Sequence, residues 1–181
     1  DIGIPCTHNT EKYVRFLIDN INSTKSSKLD INIFIGVNSK NIDLEFLENI
    51  KKQFKNIEII VNKKIKNKPP SSLNHGECIN MIVENFQSRY GMILDADVAF
   101  LLKGWDIKLT SFIKNDTVII GSEYGSDDSK YMKNPNVITC LFDNEIIKKI
   151  GINFLPGNKT LLINNENSKI YESQIGDKIF L

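Results

Sequence analysis

Arginine, histidine, tryptophan and cysteine are all scarce: the 181 residues include two, two, one and three of them respectively. Cys6, Cys78 and Cys140 are widely separated, odd in number and without CxxC spacing, which argues against a disulfide framework and against a cysteine-based zinc site. A reducing, cytoplasmic compartment is the expectation. Charge of one sign is missing as well, since 23 Lys+Arg against 22 Asp+Glu leaves a net charge of +1. Broad attachment to nucleic acid or to an anionic membrane needs a one-signed basic face, so neither is expected as a partner. The local run Lys63, Lys64, Lys66 and Lys68 has no aromatic side chains interleaved with it and reads as a solvated loop. No apolar run approaches the roughly 18 residues that span a bilayer, and no charged-then-apolar leader opens the chain. It begins at Asp1 and not Met, directly with strand-like residues, which leaves open that it is a fragment.

What is abundant is Ile (29), Asn (22) and Lys (21), a bias that looks like A+T-rich coding and lowers the weight of any single Asn or Lys. Three Asn-x-Thr or Asn-x-Ser triplets, at Asn22, Asn115 and Asn158, are therefore expected by chance.

Apolar periodicity alternates between two kinds of segment with turn signals between them. Strands are expected at 2–6, 31–37, 57–61, 92–94, 118–121 and 137–142. Helices are expected at 11–21, with Asn9 or Thr10 as cap, at 44–54, from Asn74 to Phe86 with the cap-x-x-Glu start Asn74-His75-Gly76-Glu77, at 105–113, and at 144–150 closed by Gly151. On the first helix the apolar spacing runs through Tyr13, Phe16, Leu17, Asn20 and Ile21. Pro69-Pro70 breaks the chain ahead of the second long helix, and 158–167 is Asn-rich and less regular. Strands alternating with helices of this length imply one α/β domain, Rossmann-like, with a mostly parallel central sheet flanked by helices on both faces.

Open α/β sheets bind ligands beyond the carboxyl ends of their strands. Asp95 and Asp97 follow Met92-Ile93-Leu94 at such an end, and strand alternation would turn two side chains spaced by two toward one point. Two hard oxygen donors with room left for phosphate oxygens suit Mg²⁺ or Mn²⁺. Asp95 capping a turn with Asp97 solvated is the plain structural alternative. With only His8 and His75 in the chain, no histidine lies downstream to complete a metal site, so a weak site completed by substrate is expected. His75 falls at a helix start, either contacting a ligand or simply exposed. Trp105 either lines a pocket or packs in the core.

Four segments together resemble the GT-A nucleotide-sugar glycosyltransferases, most closely the family 2 inverting enzymes, and they occur in that family's order. Ile4-Pro5-Cys6-Thr7-His8-Asn9 is similar to its first-strand turn beside the donor base. Gly76-Glu77-Cys78-Ile79-Asn80 is similar to its helix with a Gly before, and an Asn after, a small-residue turn. Tyr90 to Asp97, followed by Lys103-Gly104-Trp105, resembles its DxD strand and the Gly-Trp beyond it. Phe142 to Gly151 resembles the helix preceding the acceptor region. The resemblance implies a GT-A-like fold and a metal-dependent enzyme that moves a sugar from a nucleoside-diphosphate sugar to an acceptor hydroxyl, on a glycan or another molecule, with inversion. It implies Mn²⁺ or Mg²⁺ on Asp95 and Asp97, Asp95 also near the donor ribose, Pro5, Thr7 and His8 bordering the base, and Asn80 on the donor side. It further implies a single domain over 1–181, with a nucleotide-sugar half at 1–100 ending in the DxD and an acceptor-side half at 101–181 that is open to truncation.

Two departures from the pattern stand out. Gly36-Val37-Asn38-Ser39 occupies the place where the family carries an acid that reads the base, so Asn38 is the candidate there. The downstream acidic pair is reduced to Tyr171-Glu172-Ser173. Glu172 is the first candidate for the general base and Asp177 the second, with Asp127, Asp128 and Glu123 behind them. Those departures keep a non-catalytic module that binds a sugar nucleotide or glycan as an alternative. An apolar strand ending in DxD also opens the haloacid-dehalogenase-like phosphatases, but that reading expects the motif on the first strand.

Overall fold

Isoleucine-rich runs become neighbouring strands because branched side chains fit a pleated surface covered on both faces. In a computed structural model that describes residues 1–6, 10–63, 71–114, 117–122, 136–155, 160–162 and 169–171, the elements are β1 (Ile2–Cys6), α1 (Glu11–Thr24), β2 (Ile33–Val37), α2 (Leu44–Gln53), β3 (Ile57–Val61), α3 (Ser72–Glu84), β4 (Tyr90–Leu94), α4 (Trp105–Thr110), β5 (Ile119–Ser122), β6 (Asn136–Asp143), α5 (Asn144–Ile150), β7 (Thr160–Leu162) and β8 (Lys169–Tyr171). Six strands form one sheet in the order β3-β2-β1-β4-β6-β5, and β7 and β8 pair antiparallel in a separate two-stranded sheet. β1 to β4 run parallel, whereas β6 is antiparallel to both β4 and β5. A short buried strand carries the same apolar pattern in either direction, so periodicity had no means of showing the reversal at β6.

One face of the sheet packs Ile2, Ile4, Ile33, Ile35, Met92 and Leu94 against Val14, Leu17, Ile18 and Ile21 of α1 and Leu47 and Ile50 of α2. The opposite face packs Phe34, Ile93 and Phe142 against Cys78, Ile79 and Ile82 of α3 and Ile147 of α5. The buried stripe of α1 is rotated from the expected one: Val14 and Ile18 are in the core, while Tyr13 and Phe16 are 43% and 63% exposed. α3 starts earlier than expected, because the Ser71 hydroxyl accepts the Asn74 N–H at 3.3 Å and so caps the helix ahead of Asn74. α4 is shorter than expected, and Thr110 at its end turns its hydroxyl back onto the Asp106 carbonyl at 2.8 Å. All three cysteines are buried and unpaired, and burial above all pushes the Cys6 and Cys140 thiols up to about 12, leaving them protonated and inert. No helix among the described residues is long and apolar enough to cross a membrane.

The order of strands creates a switch point at β1, which pairs with β2 on one side and β4 on the other. The β1–β2 ladder continues to Cys6↔Val37, but the β1–β4 ladder ends at Gly3↔Ile93. Past that point the two strands make no further ladder pairs, and a switch point of this kind is where such sheets open a ligand crevice beyond their carboxyl ends. Pro5 sits where the parting begins. Ile2 directs its N–H to Asn32 on the β2 side, at 2.8 Å, so by alternation position 5 would direct its own toward β4. A residue without an N–H is tolerated at a position with no ladder bond to make.

Candidate functional site

β4 ends at Leu94, so the two acids do not share a strand; Asp95 to Val98 instead forms a turn closed by Val98 N–H to the Asp95 carbonyl at 3.3 Å. Ala96 is buried in the core beneath this turn, Asp95 is half-buried at the mouth of the crevice, and Asp97 is exposed beside it. Burial first, and the charge of Asp97 second, push the Asp95 carboxyl up to about 7.

His75, in the first turn of α3, brings its Nε2 to 3.5 Å from Asp95 Oδ1. That separation is beyond a formed hydrogen bond, and Oδ1 is a buried oxygen with no donor among the described residues. Burial also lowers the pKa of His75, so its ring faces Asp95 neutral. Two neighbouring carboxylates on one turn, one half-buried and one exposed, are a pair of hard oxygen donors of the kind a divalent cation takes. No group of three or more His, Cys, Asp and Glu that could hold a metal by itself occurs among the described residues.

The other candidates on described residues lie on β1, directly after β2, and on α3. Asn38, 6% exposed, donates through Nδ2 to the Asn74 carbonyl at 2.7 Å and accepts from Asn62 Nδ2 at 2.8 Å. Its backbone N–H reaches the Cys6 carbonyl at 3.2 Å, so one residue ties together the ends of β1 and β2, the residue after β3 and the start of α3. Asn80 accepts the Phe154 N–H through Oδ1 at 2.8 Å. One turn earlier, Gly76 lies against the same segment, where a Cβ would stand 2.3 Å from the Phe154 carbonyl oxygen. The Gly76-x-x-x-Asn80 pair is thus a seat for residues 152–155, and Pro5 lies in β1 at the crevice edge. Thr7, His8, Glu172, Asp177, Asp127, Asp128 and Glu123 lie outside the described residues.

The stretch after the acidic turn is docked on α1. Asn20 grips the Phe100 backbone from both sides, donating to its carbonyl at 3.0 Å and accepting its N–H at 2.7 Å. Gly104, at φ 71°, a value other residues rarely adopt, donates to the Thr24 carbonyl at 2.7 Å. Trp105 stacks on Phe100 with ring centroids 3.6 Å apart and donates its indole N–H to the Thr24 hydroxyl at 3.0 Å. Trp105 is packed, 6% exposed, and also lines a cavity with Ile2, Tyr90, Met92 and Leu141. The Asp106 carboxylate is buried, which alone would raise its pKa, yet hydrogen bonds from the Ser26 hydroxyl and N–H at 2.6 and 2.8 Å outweigh burial and hold it below the usual range. Asn20 and Asp106 were missed in the sequence as site supports. The one signal was an amide inside the apolar spacing of α1.

Asn20→Ala is expected to cost about 1–3 kcal/mol, since two hydrogen bonds go and the backbone of Phe100 loses its partners. Urea unfolding measures it; a cost under about 0.5 kcal/mol would show that water replaces the amide freely.

No protein-family model matches the chain, and no curated protein matches it in sequence. Solved structures do. The mannosyltransferase PcManGT from Pyrobaculum calidifontis, in complex with GDP-Man and Mn²⁺, superposes with a TM-score of 0.64 at 12% identity over 84% of this chain and 46% of that one. TarS 1-349 of S. aureus, in complex with UDP-GlcNAc, gives 0.59 at 15% identity over 84% and 47%. The glycosyltransferase GlyE of Streptococcus pneumoniae TIGR4 gives 0.52 at 12% identity over 83% and 35%. The chain spans about half or less of the length of these structures. At such identities the likeness concerns the fold, and the fold of this chain is that of the GT-A-type glycosyltransferases.

Proposed function

We propose that the chain is a glycosyltransferase domain of the metal-dependent, inverting family 2 kind, moving a sugar from a nucleoside-diphosphate sugar to the hydroxyl of a glycan or another acceptor. The observation that carries this reading is the acidic turn: Asp95 half-buried and Asp97 exposed beside it, two hard oxygen donors directly after β4, at the carboxyl end of a parallel strand in a fold shared with a solved GDP-Man and Mn²⁺ complex. Asp95 and Asp97 would hold Mn²⁺ or Mg²⁺, Asp95 also facing the donor ribose. When bound, the metal neutralises charge on the departing diphosphate.

Pro5, Thr7 and His8 would border the base at the end of β1, with Asn38 and Asn80 holding the neighbouring walls. Asn38 keeps one amide hydrogen for a base, because its oxygen and its other hydrogen already have protein partners. Glu172, or failing it Asp177, would take the proton of the acceptor hydroxyl as it attacks the anomeric carbon opposite the leaving diphosphate. Residues 1–100 form the donor half and 101–181 the acceptor-side half. A phosphatase of the haloacid-dehalogenase kind is disfavoured, since the acidic turn follows the fourth strand and not the first.

Mn²⁺ and UDP or GDP are expected to raise the thermal midpoint together by more than the sum of their separate shifts, because two carboxylates hold a metal poorly until phosphate oxygens join them. Strictly additive shifts would dissolve the shared site. Coupling without transfer to any acceptor or hydrolysis of the donor would instead identify a non-catalytic binding module.

A further inference from the structure

We infer that His75 is a positioning residue for the metal ligand Asp95: its Nε2 donates to Oδ1 and so turns the other carboxylate oxygen toward the cation. The inference rests on the proposed function, and it concerns this chain's own residues.

Oδ1 is buried with no donor, and the His75 ring nitrogen 3.5 Å away is the polar group drawn up to it. A separation of this kind tightens when a ligand is bound, as long donor–acceptor pairs in ligand-free sites commonly do. His75 also stands on a braced part of α3. Ser71 accepts the His75 N–H at 3.1 Å and caps the helix through the Asn74 N–H. Asn38 holds the Asn74 carbonyl, and Gly76 abuts Phe154. The residues on either side of His75 are therefore each held by a different segment, which fixes the backbone from which the ring reaches Asp95. Partners that fix the orientation of a metal ligand typically change metal affinity by about 10- to 100-fold when removed.

The test is Mn²⁺ binding followed by the loss of the free Mn²⁺ electron paramagnetic resonance signal, with UDP and with GDP, on wild type, His75→Ala and His75→Gln. His75→Ala is expected to weaken Mn²⁺ binding in the presence of nucleotide by about 10- to 100-fold. Glutamine places an N–H at nearly the reach of Nε2, so His75→Gln is expected to recover most of the loss. An unchanged thermal midpoint of the ligand-free variants separates this from unfolding; if His75→Ala does not fold, the Gln variant alone decides, by binding as wild type or not. Equal Mn²⁺ affinity in wild type and His75→Ala, or equal loss in Ala and Gln, overturns the role of His75 while leaving the donor site standing. Failure of the wild type to bind Mn²⁺ with either nucleotide overturns the proposed function, and this role with it.

Discussion

Asp95→Asn is expected to stabilise the metal-free protein at pH 8 while removing its joint response to Mn²⁺ and nucleotide. Burial and then Asp97 move the Asp95 carboxyl from 3.8 to about 7 on folding. Between those values the folded protein holds a proton that the unfolded chain has released, so stability falls as pH rises from about 4 to about 7 and stays reduced above it. About three pKa units correspond to about 4 kcal/mol, and water reaching the quarter-exposed side chain trims this to about 2–4 kcal/mol. The amide carries no charge, so the variant should gain that amount at pH 8 and almost none at pH 4. Urea unfolding at the two pH values reads it directly.

The same substitution should weaken Mn²⁺ binding in the presence of UDP or GDP by at least on the order of 10²-fold, because a removed ligand costs no less than a removed ligand partner. A site that is destabilising when empty and needed when filled is what a binding carboxylate is expected to be. Equal stability of variant and wild type at pH 8 would mean that Asp95 is already ionised and satisfied in the empty protein. Unchanged Mn²⁺ affinity would remove it from the metal.

Gly76→Ala should destabilise the fold and disturb the crevice together. Glycine in a helix interior costs about 1 kcal/mol relative to alanine, so on helix propensity alone the substitution would help. Tertiary packing reverses the sign, since the new methyl would lie 2.3 Å from the Phe154 carbonyl oxygen and 3.0 Å from its carbon, both backbone atoms with little freedom to yield. Either α3 or residues 152–155 must move, straining the Asn80–Phe154 hydrogen bond and partly uncovering the fully buried Phe154 ring. Overpacking of about 1–3 kcal/mol together with a lost hydrogen bond of about 1 kcal/mol outweighs the propensity gain and leaves a net loss of about 1–3 kcal/mol. Urea unfolding gives the size, and Mn²⁺ binding with nucleotide tells which side moved. A shift of α3 carries His75 with it and weakens binding, whereas release of 152–155 leaves binding intact. A variant more stable than wild type would show that this close approach does not persist in solution.

Much of the architecture was legible because it depends on local pattern. Runs such as Ile33 to Val37 and Ile57 to Val61, and helical spacing in 44–53, report burial at periods that no distant contact needs to supply. The acid pair at 95 and 97 was legible for the same reason, lying directly after an apolar run.

Direction, rotation and partnership were not. β6 runs antiparallel because of where it meets β4 and β5, which its own residues do not encode. α1 turned Val14 and Ile18 inward and left Phe16 out, since the face it buries is chosen by the sheet beneath it. That Asn38, a candidate for reading a base, also clasps the strand ends to α3, and that Asn80 anchors Phe154, no local pattern announced. By itself the sequence determined which segments would be strands and helices, that they would form an α/β layer structure, and that two carboxylates would stand at a strand end. Only the tertiary structure decided that β1 and β4 part after Gly3 and Ile93, that the acids sit on a turn and not a strand, and that His75 faces Asp95, because each of these joins residues far apart in the chain whose meeting is set by the packing of whole elements.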